Sequence, residues 1–120
     1  HGTTELAELK EDGTIERSTL TPADLGAKRL YSIEEIKGGA PADNALITEA
    51  ILAGKGTEAQ QAFVAANLAL LLKIGEAIIC GIFATVELAR RTMASGKGLE
   101  VLNAHRAYAT SHTASSQKAA

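Results

Sequence analysis

Gly-Gly-Ala-Pro-Ala-Asp-Asn-Ala-Leu-Ile-Thr-Glu-Ala-Ile-Leu-Ala-Gly-Lys-Gly, residues 38–56, is the stretch that decides how this chain folds. The glycine pair allows a positive φ or a close approach of backbone, and Asp43 or Asn44 can cap a following helix. Apolar residues then recur at helical spacing, namely Leu46, Ile47, Ala50 and Ile51. The glycines on either side of Lys55 end that helix. The stretch therefore predicts a turn, a capped helix and a glycine stop.

A glycine pair in front of a helix can also bind phosphate. Free backbone N–H groups and the helix dipole both attract anions at that point. The alternative is a tight turn and cap that holds no ligand. We favour the turn, because neither the G-x-G-x-x-G pattern nor the P-loop pattern is present.

The segment before this stretch predicts a β-hairpin. Residues 3–10 and 14–20 flank Glu11-Asp12-Gly13, and Asp-Gly is a strong short-range turn signal. A short helical turn over Thr21–Asp24 and a brief helix beginning at Ser32 are expected next.

The segment after it predicts three helices, over residues 57–74, 76–94 and 99–108. Alanines in the first permit a close neighbour, with bulk from Phe63, Leu70 and Ile74. In the second, the residues predicted to face inward are Ile78, Ile79, Ile82, Phe83, Val86 and Ala89. Residues 1–108 thus form one unit, a hairpin followed by about four helices, and the polar residues 109–120 are expected to be a flexible tail.

Composition limits the classes of partner. The chain has 120 residues, of which 46% are hydrophobic, and a net charge of −2, so no basic field exists to bind nucleic acid. Two apolar stretches, residues 63–72 and 77–86, are each shorter than the roughly 20 residues that span a bilayer. We therefore expect a cytoplasmic protein with no membrane or nucleic-acid partner.

Side chains that could carry chemistry are few. Cys80 is expected to be a small buried hydrophobe, and Ser95 stands at a helix stop without a base near it in sequence. Asn67 could be a substrate ligand, but a buried amide bonded to a neighbouring loop is favoured. The three histidines, His1, His105 and His112, are too scattered for a zinc site. No catalytic, cofactor-binding or metal-binding residue is assigned.

Taken together, these segments resemble the carboxy-terminal part of the anthranilate phosphoribosyltransferase family. The resemblance rests on residues 38–56 and extends over residues 3–106. It includes Ala7-Glu8-Leu9-Lys10, Leu20-Thr21-Pro22-Ala23-Asp24-Leu25-Gly26, Ala65-Ala66-Asn67-Leu68-Ala69 and Ser95-Gly96-Lys97-Gly98.

The resemblance implies a parent fold with a small helical domain and a large α/β domain, to which this segment contributes strands and outer helices. It implies a pentosyltransferase that moves phosphoribosyl from phosphoribosyl pyrophosphate to anthranilate in tryptophan biosynthesis, with Mg²⁺, as a homodimer joined through the helical domain. The motifs for pyrophosphate and magnesium would precede Thr3, so the 120-residue chain alone is predicted to be inactive. Glu5 and Glu8 do not replace the magnesium acids, because residues three apart in a strand face opposite sides.

Two readings of the first residues stay open. Either a loop that carries the magnesium acids is missing between Gly2 and Thr3, or His1-Gly2 is the remnant of an affinity tag. Three rival functions also stay open: a pyrimidine nucleoside phosphorylase-like enzyme, a catalytically inactive paralogue that binds nucleotide or nucleic acid, and a non-catalytic helical binding module.

Overall fold

The computed structural model describes residues 2–74 and 81–116 of the chain. A two-stranded hairpin is followed there by five helices, which confirms the predicted fold class. In chain order the elements are β1 (Thr4–Leu9), β2 (Ile15–Leu20), α1 (Ile33–Ile36), α2 (Pro41–Leu52), α3 (Glu58–Ile74), α4 (Ile82–Ala94) and α5 (Lys97–Ser116).

The hairpin is antiparallel and matches the predicted strands to within one residue at their ends. Its register places Leu9 opposite Ile15 beside the turn. The Asp12 carboxylate accepts hydrogen bonds from the backbone N–H of Thr14 at 2.9 Å and from its hydroxyl at 2.7 Å. These bonds fix the turn and hold the pKa of Asp12 below its usual value, with the hydroxyl as the larger cause.

The connection from the hairpin to α2 contains both short elements that the sequence predicts. Residues 22–26 form a single hydrogen-bonded turn that Thr21 caps, since its hydroxyl accepts the N–H of Asp24 at 3.3 Å, and the Asp24 carboxylate accepts from both the N–H and the hydroxyl of Thr21 at 2.7 Å. The brief helix after Ser32 is confirmed as α1, and its Glu35 carboxylate accepts the Ser32 N–H at 2.9 Å.

The core lies where α3 packs on α4. Ala65 and Ala69 are fully buried on α3, as are Val86 and Ala89 on α4, and Met93 is 4% exposed. Small alanine side chains let the two helix backbones approach closely, as the sequence predicted. Ile51 of α2 joins the same cluster, so three helices share one core.

Several predicted apolar contacts are wrong. Phe63, Ile74 and Phe83 were expected to supply bulk to the core, but they are more than half exposed. Ala65 and Ala69 of α3 occupy the contact with α4, and this orientation leaves Phe63, Ile74 and Phe83 on the outer faces of the two helices, whereas Val86 and Met93 of α4 stay buried. Ile78 and Ile79 lie outside the described residues, and so does Cys80.

The boundaries of the last two helices also differ from the prediction. α4 begins at Ile82, because Gly81 is extended and caps it, and residues 76–80 of the predicted helix lie outside the described residues. α5 starts two residues early and continues past Tyr108 as far as Ser116, so the first eight residues of the predicted tail are helical. The polar composition of that segment favoured an irregular chain, but its alanines favour helix. Among residues 2–74 and 81–116, none of the helices combines the length and the apolar composition that a bilayer-spanning segment requires.

Candidate functional site

The glycine turn before α2 was the candidate anion site, and side chains of α2 occupy two of its backbone donors. The N–H of Gly39 donates to Oδ1 of Asn44 at 2.8 Å, and the N–H of Ala40 donates to Oδ2 of Asp43 at 3.2 Å. Nδ2 of Asn44 donates back to the carbonyl of Gly39 at 3.0 Å. A phosphate would have to displace a carboxylate and an amide that already satisfy these groups.

The same contacts explain why two glycines stand in this turn. A Cβ on Gly38 would lie about 2.4 Å from Oδ1 of Asn44, and one on Gly39 would lie 3.0 Å from Oδ2 of Asp43. Neither glycine has a positive φ. The sequence allowed these glycines either a positive φ or a close approach of backbone, and the close approach is therefore the reason for both.

Replacing Asn44 by alanine is expected to lower the free energy of unfolding by about 1 kcal/mol, because the Gly39 donor and acceptor lose their partner at the helix start. Asn103→Ala on the exposed surface of α5 is the matched control, and alanine should be neutral or slightly favourable there. Urea denaturation followed by circular dichroism measures both. Equal stability of the two variants would contradict a stabilising role for the hydrogen bonds between Asn44 and Gly39.

A second candidate is a groove of about 410 Å³ between the residues before β1, the loop after β2, α1 and α3. We refer to it as the α3 groove. α3 contributes Ala59, Ala62, Phe63, Ala66, Asn67 and Leu70. The volume lies in the range of small-molecule pockets, but none of the described residues that line it is charged. Its chemistry therefore suits an apolar surface rather than a phosphate or a carboxylate.

Asn67 lies on the rim of the α3 groove. Its Nδ2 donates to the carbonyl of Phe63, one turn earlier in the same helix, at 2.8 Å, and the residue is exposed. The favoured expectation of a buried amide bonded to a neighbouring loop is therefore wrong, since the bond is made within α3.

Tyr31 also lines the α3 groove, and sequence reasoning missed it. It is 7% exposed, and its buried hydroxyl has no hydrogen-bond partner among the residues that the structure describes. The guanidinium carbon of Arg29 lies 4.4 Å from the centre of the Tyr31 ring. Only the Arg-x-Tyr spacing could have signalled this arrangement.

Arg29 also pairs with Glu35 and fastens α1 to the segment before it. The guanidinium lowers the pKa of Glu35 to about 2, and the bond from the Ser32 N–H adds to this effect. Glu35 is therefore ionised at neutral pH and accepts hydrogen bonds without acting as an acid.

Of the two glutamates of β1, Glu8 forms ion pairs and Glu5 is exposed to solvent. Glu8 lies 3.0 Å from Nζ of Lys73 and 3.2 Å from Nζ of Lys10, and hydrogen bonds from these lysines, Lys73 first, lower its pKa. The pair with Lys73 links the hairpin to α3. Glu5 is exposed. Within residues 2–74 and 81–116, no three acidic, histidine or cysteine side chains gather as a metal site would require.

The remaining candidates are on α5 or next to it. Ser95 Oγ donates to the carbonyl of Thr92 at 2.7 Å, which suits a helix end. His105 is exposed, and the His112 ring stacks on Tyr108 with centroids 3.9 Å apart. His1 and Cys80 lie outside the described residues.

Comparison with known proteins shows what the chain is similar to. Residues 1–99 match the glycosyl transferase family, a/b domain. The anthranilate phosphoribosyltransferase of Tolumonas auensis is 49% identical over 100 residues, covering 83% of this chain and 29% of that protein. The one of Shewanella putrefaciens is 50% identical over 107 residues, and the one of Photobacterium profundum 46% over 104; each match covers 86% of this chain and 29% of the relative. The chain thus spans about 29% of the length of these relatives.

Proposed function

Because this chain belongs to the glycosyl transferase family, whose a/b domain residues 1–99 match, we propose that it is the carboxy-terminal part of an anthranilate phosphoribosyltransferase. The parent enzyme transfers phosphoribosyl from phosphoribosyl pyrophosphate to anthranilate in tryptophan biosynthesis. The observation that carries the proposal is identity of about one half to relatives of that name over more than four fifths of this chain.

In this proposal the described residues support the site rather than form it. The α3–α4 core fixes one face of the domain, and the turn at Gly38–Gly39 sets the direction of α2 by close packing on its own first turn. The pyrophosphate and the anthranilate would be bound by residues that the longer relatives carry. Catalysis there would depend on positioning and charge stabilisation.

Magnesium, a homodimer and a cytoplasmic location are further parts of the proposal for the parent enzyme. The described residues do not suit a magnesium site, since Mg²⁺ is held by carboxylates and phosphates and Glu8 is already engaged by two lysines. The residues that would hold the metal belong, in this proposal, to the part of the parent enzyme outside this chain.

A chimaera tests the proposal. In the Tolumonas auensis relative, the matching carboxy-terminal segment is replaced by this chain, and loss of anthranilate fluorescence is followed with phosphoribosyl pyrophosphate and Mg²⁺. Turnover should exceed that of the relative lacking the segment by at least 100-fold, which corresponds to about 2.7 kcal/mol. The 120-residue chain alone should show none.

The same chimaera distinguishes the proposed transferase from the rival nucleoside phosphorylase. A folded chimaera that cleaves thymidine or uridine with phosphate, and leaves anthranilate unchanged, would overturn the proposal in favour of a pyrimidine nucleoside phosphorylase. A folded chimaera without either activity would favour the non-catalytic module. Light scattering on the same sample reports whether it is a dimer.

A further inference from the structure

The turn of the hairpin places an aspartate directly before a glycine. Asp12 is the one aspartate or asparagine of the chain that glycine follows. An Asp-Gly bond is chemically labile, because the glycine nitrogen can attack the side-chain carboxyl carbon of the aspartate and no side chain on the glycine hinders the ring that forms. Gly13 has a φ of +82°, and a Cβ there would meet none of the described atoms within 4 Å. The space around the glycine is therefore open.

The folded turn nevertheless holds both reacting groups. The Asp12 carboxylate accepts hydrogen bonds from the N–H and the hydroxyl of Thr14 at 2.9 and 2.7 Å, and the N–H of Gly13 donates to the carbonyl of Lys10 at 2.9 Å. The bonds from Thr14, the hydroxyl first, hold the pKa of Asp12 below its usual value, and an ionised carboxylate has no hydroxyl group to lose. All of these bonds join residues 10–14, so they do not depend on what packs against the rest of the chain.

We propose that Asp12-Gly13 is the site at which this chain forms isoaspartate, and that the bonds from Thr14 set the rate of this modification. In the first step the Gly13 nitrogen bonds to Cγ of Asp12, the Cγ–OH bond breaks, and the proton of the nitrogen leaves with the hydroxyl group as one water molecule. Solvent water then adds to the backbone carbonyl carbon of Asp12 and breaks its bond to the nitrogen. The backbone now runs through Cγ and the α-carboxylate is free. The composition is unchanged, so neither an oxidant nor a reductant is required.

The ring closes only after the turn opens. The Asp12 carboxylate must leave both donors of Thr14, and the N–H of Gly13 must leave the Lys10 carbonyl. Local opening of this kind precedes reaction at a protected group. One exposed hydrogen bond lowers the open population about threefold, which is the weak end of the usual range. The two bonds from Thr14 should therefore slow the reaction about tenfold relative to the unfolded chain.

The modification would alter the hairpin itself. Isoaspartate adds one carbon to the backbone between β1 and β2, where Leu9 lies opposite Ile15 beside the turn. The length of the turn fixes the register of a hairpin. The modified chain should therefore lose the hydrogen bonds that close the turn between Lys10 and Thr14.

The test follows isoaspartate in the purified 120-residue chain, kept folded at neutral pH. Trypsin cleaves after Lys10 and Arg17, and in the resulting peptide, residues 11–17, Asp12 is the sole aspartate or asparagine. The isoaspartyl form of this peptide separates by chromatography, and its fragmentation in a mass spectrometer identifies the altered bond. Isoaspartate should appear at Asp12 before any other residue, about tenfold more slowly than in the same chain unfolded by guanidinium chloride.

Thr14→Val removes the hydroxyl and keeps the shape of the side chain, so it should raise the rate about threefold. Thr14→Ser restores the hydroxyl and should return the rate to that of the unchanged chain. Thr19→Val makes the same exchange at an exposed position of β2 away from the turn, and it should leave the rate unchanged. Urea denaturation gives the unfolded fraction of each variant, and each rate is corrected for it, because a general loss of stability would also speed the reaction.

Equal corrected rates in Thr14→Val and Thr19→Val would overturn the proposal, since the hydroxyl of Thr14 would then protect nothing. Equal rates in the folded and the unfolded chain would do the same, because the turn would offer no protection at all. Isoaspartate that forms first at another residue would remove the assignment of the site to Asp12.

Discussion

Replacing Met93 by alanine is expected to lower the free energy of unfolding by about 2–5 kcal/mol, the usual range for truncating a buried methionine. Met93 is 4% exposed and packs in the cluster that joins α2, α3 and α4. Its neighbours Ala65, Ala69 and Ala89 are too small to fill the space that the truncation leaves. The cavity therefore persists, and urea denaturation measures its cost.

Leu88→Ala is the matched control on the same helix. Leu88 is 41% exposed and belongs to neither buried cluster, so its truncation should change the unfolding free energy by no more than about 0.5 kcal/mol. If the two variants lose stability equally, α4 does not present Met93 to the core in the way described.

The sequence predicted well those elements that are determined by residues close together in the chain. The hairpin follows from Asp12-Gly13 between two strand-forming runs. α3 follows from Thr57, whose hydroxyl accepts the N–H of Gln60 at 3.3 Å, and from its glycine-free interior. These elements depend on hydrogen bonds between residues close in sequence, so the local sequence pattern includes all the residues that form them.

Packing was predicted less well, because it depends on which of two apolar faces has a neighbour. α3 carries an alanine face and a face with Phe63 and Ile74, and the larger residues were expected inside. The structure buries the alanines, since α4 approaches closely on that side. A sequence shows that both faces are apolar, but it does not show which one the chain itself covers.

The α3 groove and Tyr31 could not be predicted for a related reason. Tyr31 lies in a short segment with no periodic pattern, and its burial depends on α3, which begins 27 residues later. The glycine turn is the opposite case. Asp43 or Asn44 was predicted to cap the helix, but α2 begins at Pro41 with Ala40 at its N-cap, and the two side chains accept from the N–H groups of Ala40 and Gly39 instead.

Replacing Gly54 by alanine is expected to lower the unfolding free energy by about 2–4 kcal/mol, for two reasons that a control can separate. Its φ of +71° disfavours any residue with a Cβ by about 1–2 kcal/mol. A Cβ there would also lie 3.0 Å from Cα of Ala94 and 3.3 Å from the carbonyl oxygen of Met93, so the end of α2 would have to move away from the end of α4. Because both contacts are with backbone, a change of side-chain rotamer cannot relieve them.

Gly96→Ala isolates the first of these reasons. Gly96 has nearly the same φ, +73°, but a Cβ there meets nothing within 4 Å. Both substitutions reduce the freedom of the unfolded chain equally, so that contribution cancels in the comparison. Gly96→Ala should therefore cost about 1–2 kcal/mol, and the additional loss in Gly54→Ala measures the approach of α2 to α4. Equal losses in urea denaturation would mean that the two helices have room to separate, and that Gly54 is required for its backbone conformation alone.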